Sequence, residues 1–262
     1  MTTTVQPGAG PISGNVLFYS QPEPLSFELH GKLGVVRTDG PFGFAKTGHA
    51  VPLTVGEFPL ASVSGPIIFV GDDKMPIAVM GLNAGENMFV QDNGMFSPGV
   101  YIPAYVRRYP FVYASDDAGQ QMVLCVDRQA AFISETPDIR FFEDDGKPTD
   151  YTNSCIEFCN NFEMERQRTM SFIQLLKDLD LFEGKVASFT PTNPDGSQGA
   201  PQKIADYFGV SEDKLNALPP EKFVELRDNG ALAQIYAHLL SLVGWDRLIA
   251  IALLRMPQAA NA

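Results

Sequence analysis

The stretch Glu143-Asp144-Asp145-Gly146-Lys147-Pro148, followed by Ser154-Cys155-Ile156-Glu157-Phe158-Cys159-Asn160-Asn161-Phe162, is where the period of the sequence changes. Cys155, Phe158, Cys159 and Phe162 stand at i, i+3, i+4 and i+7, and Phe172, Leu175, Leu176 and Leu179 repeat that spacing, which predicts one amphipathic helix running to about Asp180. Ser154 with Glu157 three residues on reads as a capping box that would open the helix. The acidic, Gly- and Pro-containing stretch before it reads as a linker.

Upstream of this point the apolar runs are short and rich in branched residues: Leu33 to Val36, Pro66 to Val70, Pro76 to Leu82, Met88 to Gln91, Phe111 to Ala114 and Met122 to Val126. Runs of this length predict strands. Between them lie Gly71-Asp72-Asp73, Asp92-Asn93-Gly94 and Asp116-Asp117-Ala118-Gly119, turn chemistry suited to hairpins. An antiparallel sheet or small barrel is therefore expected from about residue 15 to residue 135, preceded by a loose arm over residues 1–15.

Downstream, Thr190 to Gly199 is polar and rich in Pro and Gly, and reads as an exposed loop open to proteases. Pro201 can open a helix ending at Gly209, Ser211 another ending near Leu218, and Pro219-Pro220 a third stopping at Asn229-Gly230. Leu232, Ile235, Tyr236, Leu239, Leu242 and Val243 keep one apolar face, and Gly244 can separate two helices or weaken one. The expected class is α+β: a β-rich part over residues 16–150 and a helical part over 151–262, which can pack on the β part as one domain.

With 19 Lys+Arg against 31 Asp+Glu, the chain carries a formal net charge of −12, an excess that lies mostly in residues 1–150, with 9 basic and 17 acidic residues. Such a surface repels nucleic acid and anionic lipid. Residues 1–15 hold no Lys, no Arg and no long apolar run, so no signal peptide is expected. Leu248 to Leu254 is short of the roughly 20 residues needed to span a bilayer and reads as a buried helix, with no membrane insertion. Three Cys fit a reducing compartment better than a disulfide scaffold, and the expected location is cytoplasmic, with a dedicated export route left open.

Chemistry is sparse. His30, His49 and His238 stand outside any catalytic motif, and His238 reads as a structural, partly exposed side chain on an apolar helix. Cys155 and Cys159 share a helix face, which could serve zinc, but they belong to the apolar stripe and lack paired ligands elsewhere, so core packing is expected and no metal or cofactor. Phosphate-loop, dinucleotide, zinc-protease and nucleophile-elbow signatures are missing, which leans away from an enzyme. The exception is Tyr101-Ile102-Pro103-Ala104-Tyr105-Val106-Arg107-Arg108-Tyr109-Pro110-Phe111, two Arg among three Tyr in an acidic chain. Arg107 and Arg108, with Tyr105 and Tyr109, could grip an anion or anchor a partner protein. Alternatively the two Arg point opposite ways from a strand, one to an internal carboxylate and one to solvent.

This segment resembles the SapC family of bacterial proteins. So do Phe44-Ala45, Val51-Pro52-Leu53, Glu57-Phe58, Pro66 to Phe69, Pro76 to Leu82 and Gly85 to Val90, then Phe162, Phe172, Leu215 to Pro219, Gly230 and Tyr236-Ala237-His238 leading into Leu239 to Leu242. The resemblance covers roughly residues 20–245, with Phe96 standing where the family pattern has Trp. It implies a link, through the family's name, to the bacterial surface layer, and it brings no catalytic residues. The expectation is a non-catalytic accessory or interaction protein. The alternatives are an enzyme or small-molecule binder with an anion site near Arg107 and Arg108, and a structural coat subunit. The expected partner is a protein or a small anionic ligand; the sequence fixes no oligomeric state.

Overall fold

The computed structural model describes residues 16–115, 122–191 and 195–255. The expected arm over residues 1–15 and the turn at 116–119 lie outside them, as do residues 192–194 of the polar loop. The strands are β1 (Pro22–Pro24), β2 (Gly34–Val35), β3 (Ala50–Pro52), β4 (Ile67–Val70), β5 (Met75–Val79), β6 (Phe111–Ser115), β7 (Met122–Asp127), β8 (Ile133–Ser134), β9 (Ile139–Arg140), β10 (Phe182–Phe189) and β11 (Gln202–Val210). The helices are α1 (Phe27–His30), α2 (Phe58–Ala61), α3 (Ala104–Arg107), α4 (Asp150–Asp178), α5 (Glu212–Asn216), α6 (Pro220–Asp228), α7 (Ala231–Ser241) and α8 (Gly244–Arg255). The α+β class holds, with strands crowded into the first half and helices into the second.

The chain divides into two compact units, and neither is continuous in sequence. The first comprises the described residues of Met1–Phe44, Asn93–Met95 and Tyr105–Met164; the second comprises those of Ala45–Asp92, Phe96–Ala104 and Glu165–Ala262.

In the first unit the strands form two small antiparallel sheets, ordered β1-β7-β6 and β8-β2-β9. The β6–β7 hairpin pairs Phe111 with Val126 and Ser115 with Met122. Its core gathers Leu25, Leu33, Phe111, Val126, Phe141 and Cys159. Full burial of each large apolar side chain is worth about 1.5–3 kcal/mol. The expected stripe of α4 is present, with Cys159 and Phe162 buried and Cys155 and Phe158 half-buried. Helix α4 begins a turn earlier than expected. The backbone N–H of Thr152 donates to Thr149 Oγ1 at 3.3 Å, whereas Ser154 Oγ turns back to donate to the Asp150 carbonyl at 2.9 Å. Thr149 wins because Tyr151, stacked on Phe141 with centroids 6.4 Å apart, brings that extra turn into the core.

The second unit holds one antiparallel sheet, ordered β10-β11-β4-β5-β3. The β4–β5 hairpin turns at Gly71, as its sequence predicts, with φ +70° there. Rings interlock beneath the sheet: Phe69 meets Phe58, Phe182 and His238 edge-on at centroid distances of 6.2, 5.0 and 5.0 Å. Two expectations fail here. Residues 202–210 form strand β11 rather than a helix opened by Pro201, because they pair along β10 and, through Phe208, with Phe69 of β4. Pro201 is equally suited to the position just before a strand. Met88 to Gln91 is not a strand but a turn with a single bridge from Val90 to Phe96, since the Phe89 N–H is taken by the side chain of Asn87 at 2.9 Å.

Helices α5 and α6 lie close to their expected bounds, with Ser211 at the N-cap position of α5 but no capping bond from its side chain among the described residues, and the chain leaves α6 through Gly230 at φ +79°. Gly244 does separate two helices. A Cβ there would lie 2.7 Å from the carbonyl carbon of Gly65, so only glycine permits this approach. Helix α8 is not the buried helix expected. It buries Trp245 and Leu248 but leaves Leu253 and Leu254 exposed at 47% and 86%. Its apolar residues surround the axis while only one face has a neighbour among the described residues. The stretch Ala231–Arg255 has a mean hydropathy of 1.6 in an 18-residue window, long and apolar enough to cross a membrane by length and composition alone, a test that core helices also pass.

Candidate functional site

Arg107 and Arg108 do not lie on a strand. Arg107 ends the single turn of α3, Arg108 follows in a turn, and β6 starts at Phe111, so the two side chains diverge as neighbours at a helix end do. Their environments differ sharply. The Arg108 guanidinium carbon stands 4.2 Å from the Tyr105 ring centroid, 4.5 Å from Phe162 and 6.0 Å from Tyr19. Its side chain also hydrogen-bonds Tyr105, and Nε has no hydrogen-bond partner among the described residues. Arg108 thus sits in an aromatic cage, with no carboxylate paired to it among the described residues. Arg107 is exposed, with its guanidinium carbon 5.2 Å from the Phe158 centroid.

Tyr105 and Tyr109 also part. Tyr105 is buried, with its hydroxyl donating to the Leu17 carbonyl at 3.3 Å, and burial raises its phenol above the usual range. Tyr109 stacks on Phe44 at 4.0 Å and meets Phe132 edge-on at 5.7 Å. Its hydroxyl donates to Asp127 Oδ2 at 3.0 Å. Asp127, fully buried, also accepts from the backbone N–H groups of Ser20, Gln21 and Gln129. Burial and that carboxylate raise the Tyr109 phenol far above its ordinary value.

Arg107 and Tyr109 line a groove of about 480 Å³ in the first unit. Its polar lining includes two residues that the motif reading missed, Arg37 and Thr38; Phe42, Phe44, Phe132 and Tyr151 supply rings, and Val35, Val36, Pro41 and Val106 the aliphatic walls. The signal was present as Arg37-Thr38-Asp39-Gly40-Pro41-Phe42-Gly43-Phe44, a cation followed by turn residues and two rings. The lining holds no carboxylate, imidazole, thiol or amine among the described residues. Arg108 and Tyr105 are not part of it; they brace the segment that carries Arg107.

The other ionisable groups serve the fold. Glu57 is buried and accepts from Thr54 N–H and Oγ1, the Tyr101 hydroxyl and the Ala104 N–H, at 2.6–3.0 Å. His238, expected to be partly exposed, is fully buried because it shares the packed face of α7 with Ala231, Ile235 and Ser241. Its Nε2 accepts from the Val210 N–H at 3.0 Å and its Nδ1 donates to the Ile67 carbonyl at 2.9 Å, so it is held neutral, with burial pushing its pKa down to about 4. His30 is buried with Nε2 2.9 Å from Glu23. Cys125, Cys155 and Cys159 are free thiols, and burial pushes all three up, Cys125 and Cys159 to about 12. No group of three or more metal-ligating side chains occurs among the described residues.

Together these features define an α+β protein with a basic, aromatic groove in its first unit. The SapC family model matches residues 25–248, nearly the whole chain, and the protein belongs to that family. No curated protein and no solved structure matches it.

Proposed function

We propose that this SapC-family protein is a non-catalytic binding protein, accessory to surface-layer formation as the family's name suggests, working in the cytoplasm, and that its working surface is the groove bearing Arg37 and Arg107. The observation that carries the reading is a concave, cationic, ring-lined surface in a chain of net charge −12. Guanidinium groups hold anions but do not exchange protons near neutral pH. The two phenols in the lining, Tyr109 and Tyr151, are both raised by burial, so neither supplies a base there. A surface of this composition binds and orients; it does not transfer protons. The three free thiols, two of them buried, suit a reducing compartment.

Native mass spectrometry of the chain purified from its host tests this. A bound mass, small anion or acidic partner, is expected on the wild type and on Arg227→Glu, and lost from Arg107→Glu. The same mass retained by Arg107→Glu would remove the groove from the account.

A further inference from the structure

We infer that the groove takes a small carboxylate with a flat apolar body, the carboxylate meeting Arg37 and Arg107 and the body lying along the wall built on Phe44 and Tyr109. This rests on the groove being the working surface and adds the class of ligand.

Three observations lead to a carboxylate of this kind. First, both charged lining residues are Arg, whose planar fork matches a carboxylate. The remainder of the lining is mostly apolar, so a bare inorganic anion would leave most of the wall unused. The chain's negative field also opposes any anion at long range. Binding must therefore come from contact: guanidinium on carboxylate, and apolar area removed from water.

Second, the ring wall is held in place before any ligand arrives. Tyr109 is fixed at its hydroxyl by Asp127, and Asp127 by three backbone N–H groups; Phe44 is stacked on Tyr109 and braced edge-on by Phe18 at 5.4 Å. A preorganised wall lowers the ordering cost of binding and favours a flat partner. Third, about 480 Å³ falls in the roughly 300–1,000 Å³ range of small-molecule sites. The 12 lining residues fall short of the roughly 20–30 residues a side of a standard protein interface. These sizes favour a small molecule over a protein face.

Isothermal titration of the full chain with 3-phenylpropanoate, 3-phenylpropanamide, inorganic phosphate and a blocked Glu-Phe-Glu-Phe peptide tests the assignment. The carboxylate is expected to bind saturably, the amide at least about tenfold more weakly, and phosphate without saturation. Arg37→Gln and Arg107→Gln should each weaken the carboxylate about tenfold and leave the amide unchanged, which also shows that the variants are folded. Arg227→Gln should change nothing. Equal binding of amide and carboxylate, or of phosphate and carboxylate, would overturn the ligand class while leaving the groove as the binding surface. So would Arg107-dependent binding of the peptide alone. Carboxylate binding untouched by either Arg substitution overturns the site, and silence from all four probes overturns both the ligand class and the groove.

Discussion

At the scale of single residues, the Arg pair divides its labour. Arg108 lies among the rings of Tyr19, Tyr105 and Phe162, where each cation–ring contact is worth roughly 0.5–2 kcal/mol. Arg108→Ala should therefore lower the unfolding free energy by about 2 kcal/mol, whereas Arg107→Ala, which removes one longer ring contact at an exposed position, should cost no more than about 1 kcal/mol. Urea denaturation of the two variants reads the contrast, and equal effects would contradict it. The sequence shows both Arg and both Tyr but cannot tell one Arg from the other, since that depends on Phe162 and Tyr19, distant in the chain.

His238 carries a second prediction at this scale. Its folded pKa of about 4 lies below the ordinary 6.5, so between those values the unfolded chain takes up a proton that the folded chain refuses. The stability it permits is complete above about pH 6.5 and falls as pH drops towards 4, by about 3 kcal/mol in all. The urea midpoint should fall over that window, and His238→Gln should flatten the fall. An equally steep fall in the variant would show that other groups carry it.

At the scale of elements, α4 and the β4–β5 hairpin were legible because local period and turn chemistry agree with the fold. The apolar stripe of Cys155, Phe158, Cys159 and Phe162 and the turn at Gly71 needed no distant partner to be read. Strand β11 was not legible: Gln202 to Val210 carries mixed signals, and its extended form is settled by pairing with β10 and β4. The N-terminus of α4 was misplaced by one turn for a related reason, because Tyr151 gains its ring contact with Phe141 only in the folded unit. Gly244 shows the same dependence. A methyl group there would press on the Gly65 backbone, so Gly244→Ala should destabilise by about 1–3 kcal/mol despite the higher helix propensity of Ala. A thermal melt at or above the wild-type midpoint would contradict that close approach.

At the scale of the whole molecule, the interleaving of two units has no local signature, because the parts of the first unit are separated in sequence by segments of 48 and 9 residues that belong to the second. The groove shares that origin. Lining residues from segments 35–44 and 106–109, with Phe132 and Tyr151, meet only in three dimensions, so the sequence pointed to the Tyr101 to Phe111 run and left Arg37 and Phe132 unread. Charge was legible at once, and it sharpens the groove, where two Arg line one concave surface of an acidic chain. A ligand that binds the folded state raises the melting temperature by mass action. The melting temperature of wild type and Arg107→Gln, each with and without saturating 3-phenylpropanoate, puts the central claim to the most direct test. The account predicts a rise in wild type that is largely lost in Arg107→Gln, each rise being read against that protein's own ligand-free midpoint. An equal rise in both proteins, or none in wild type, would contradict it.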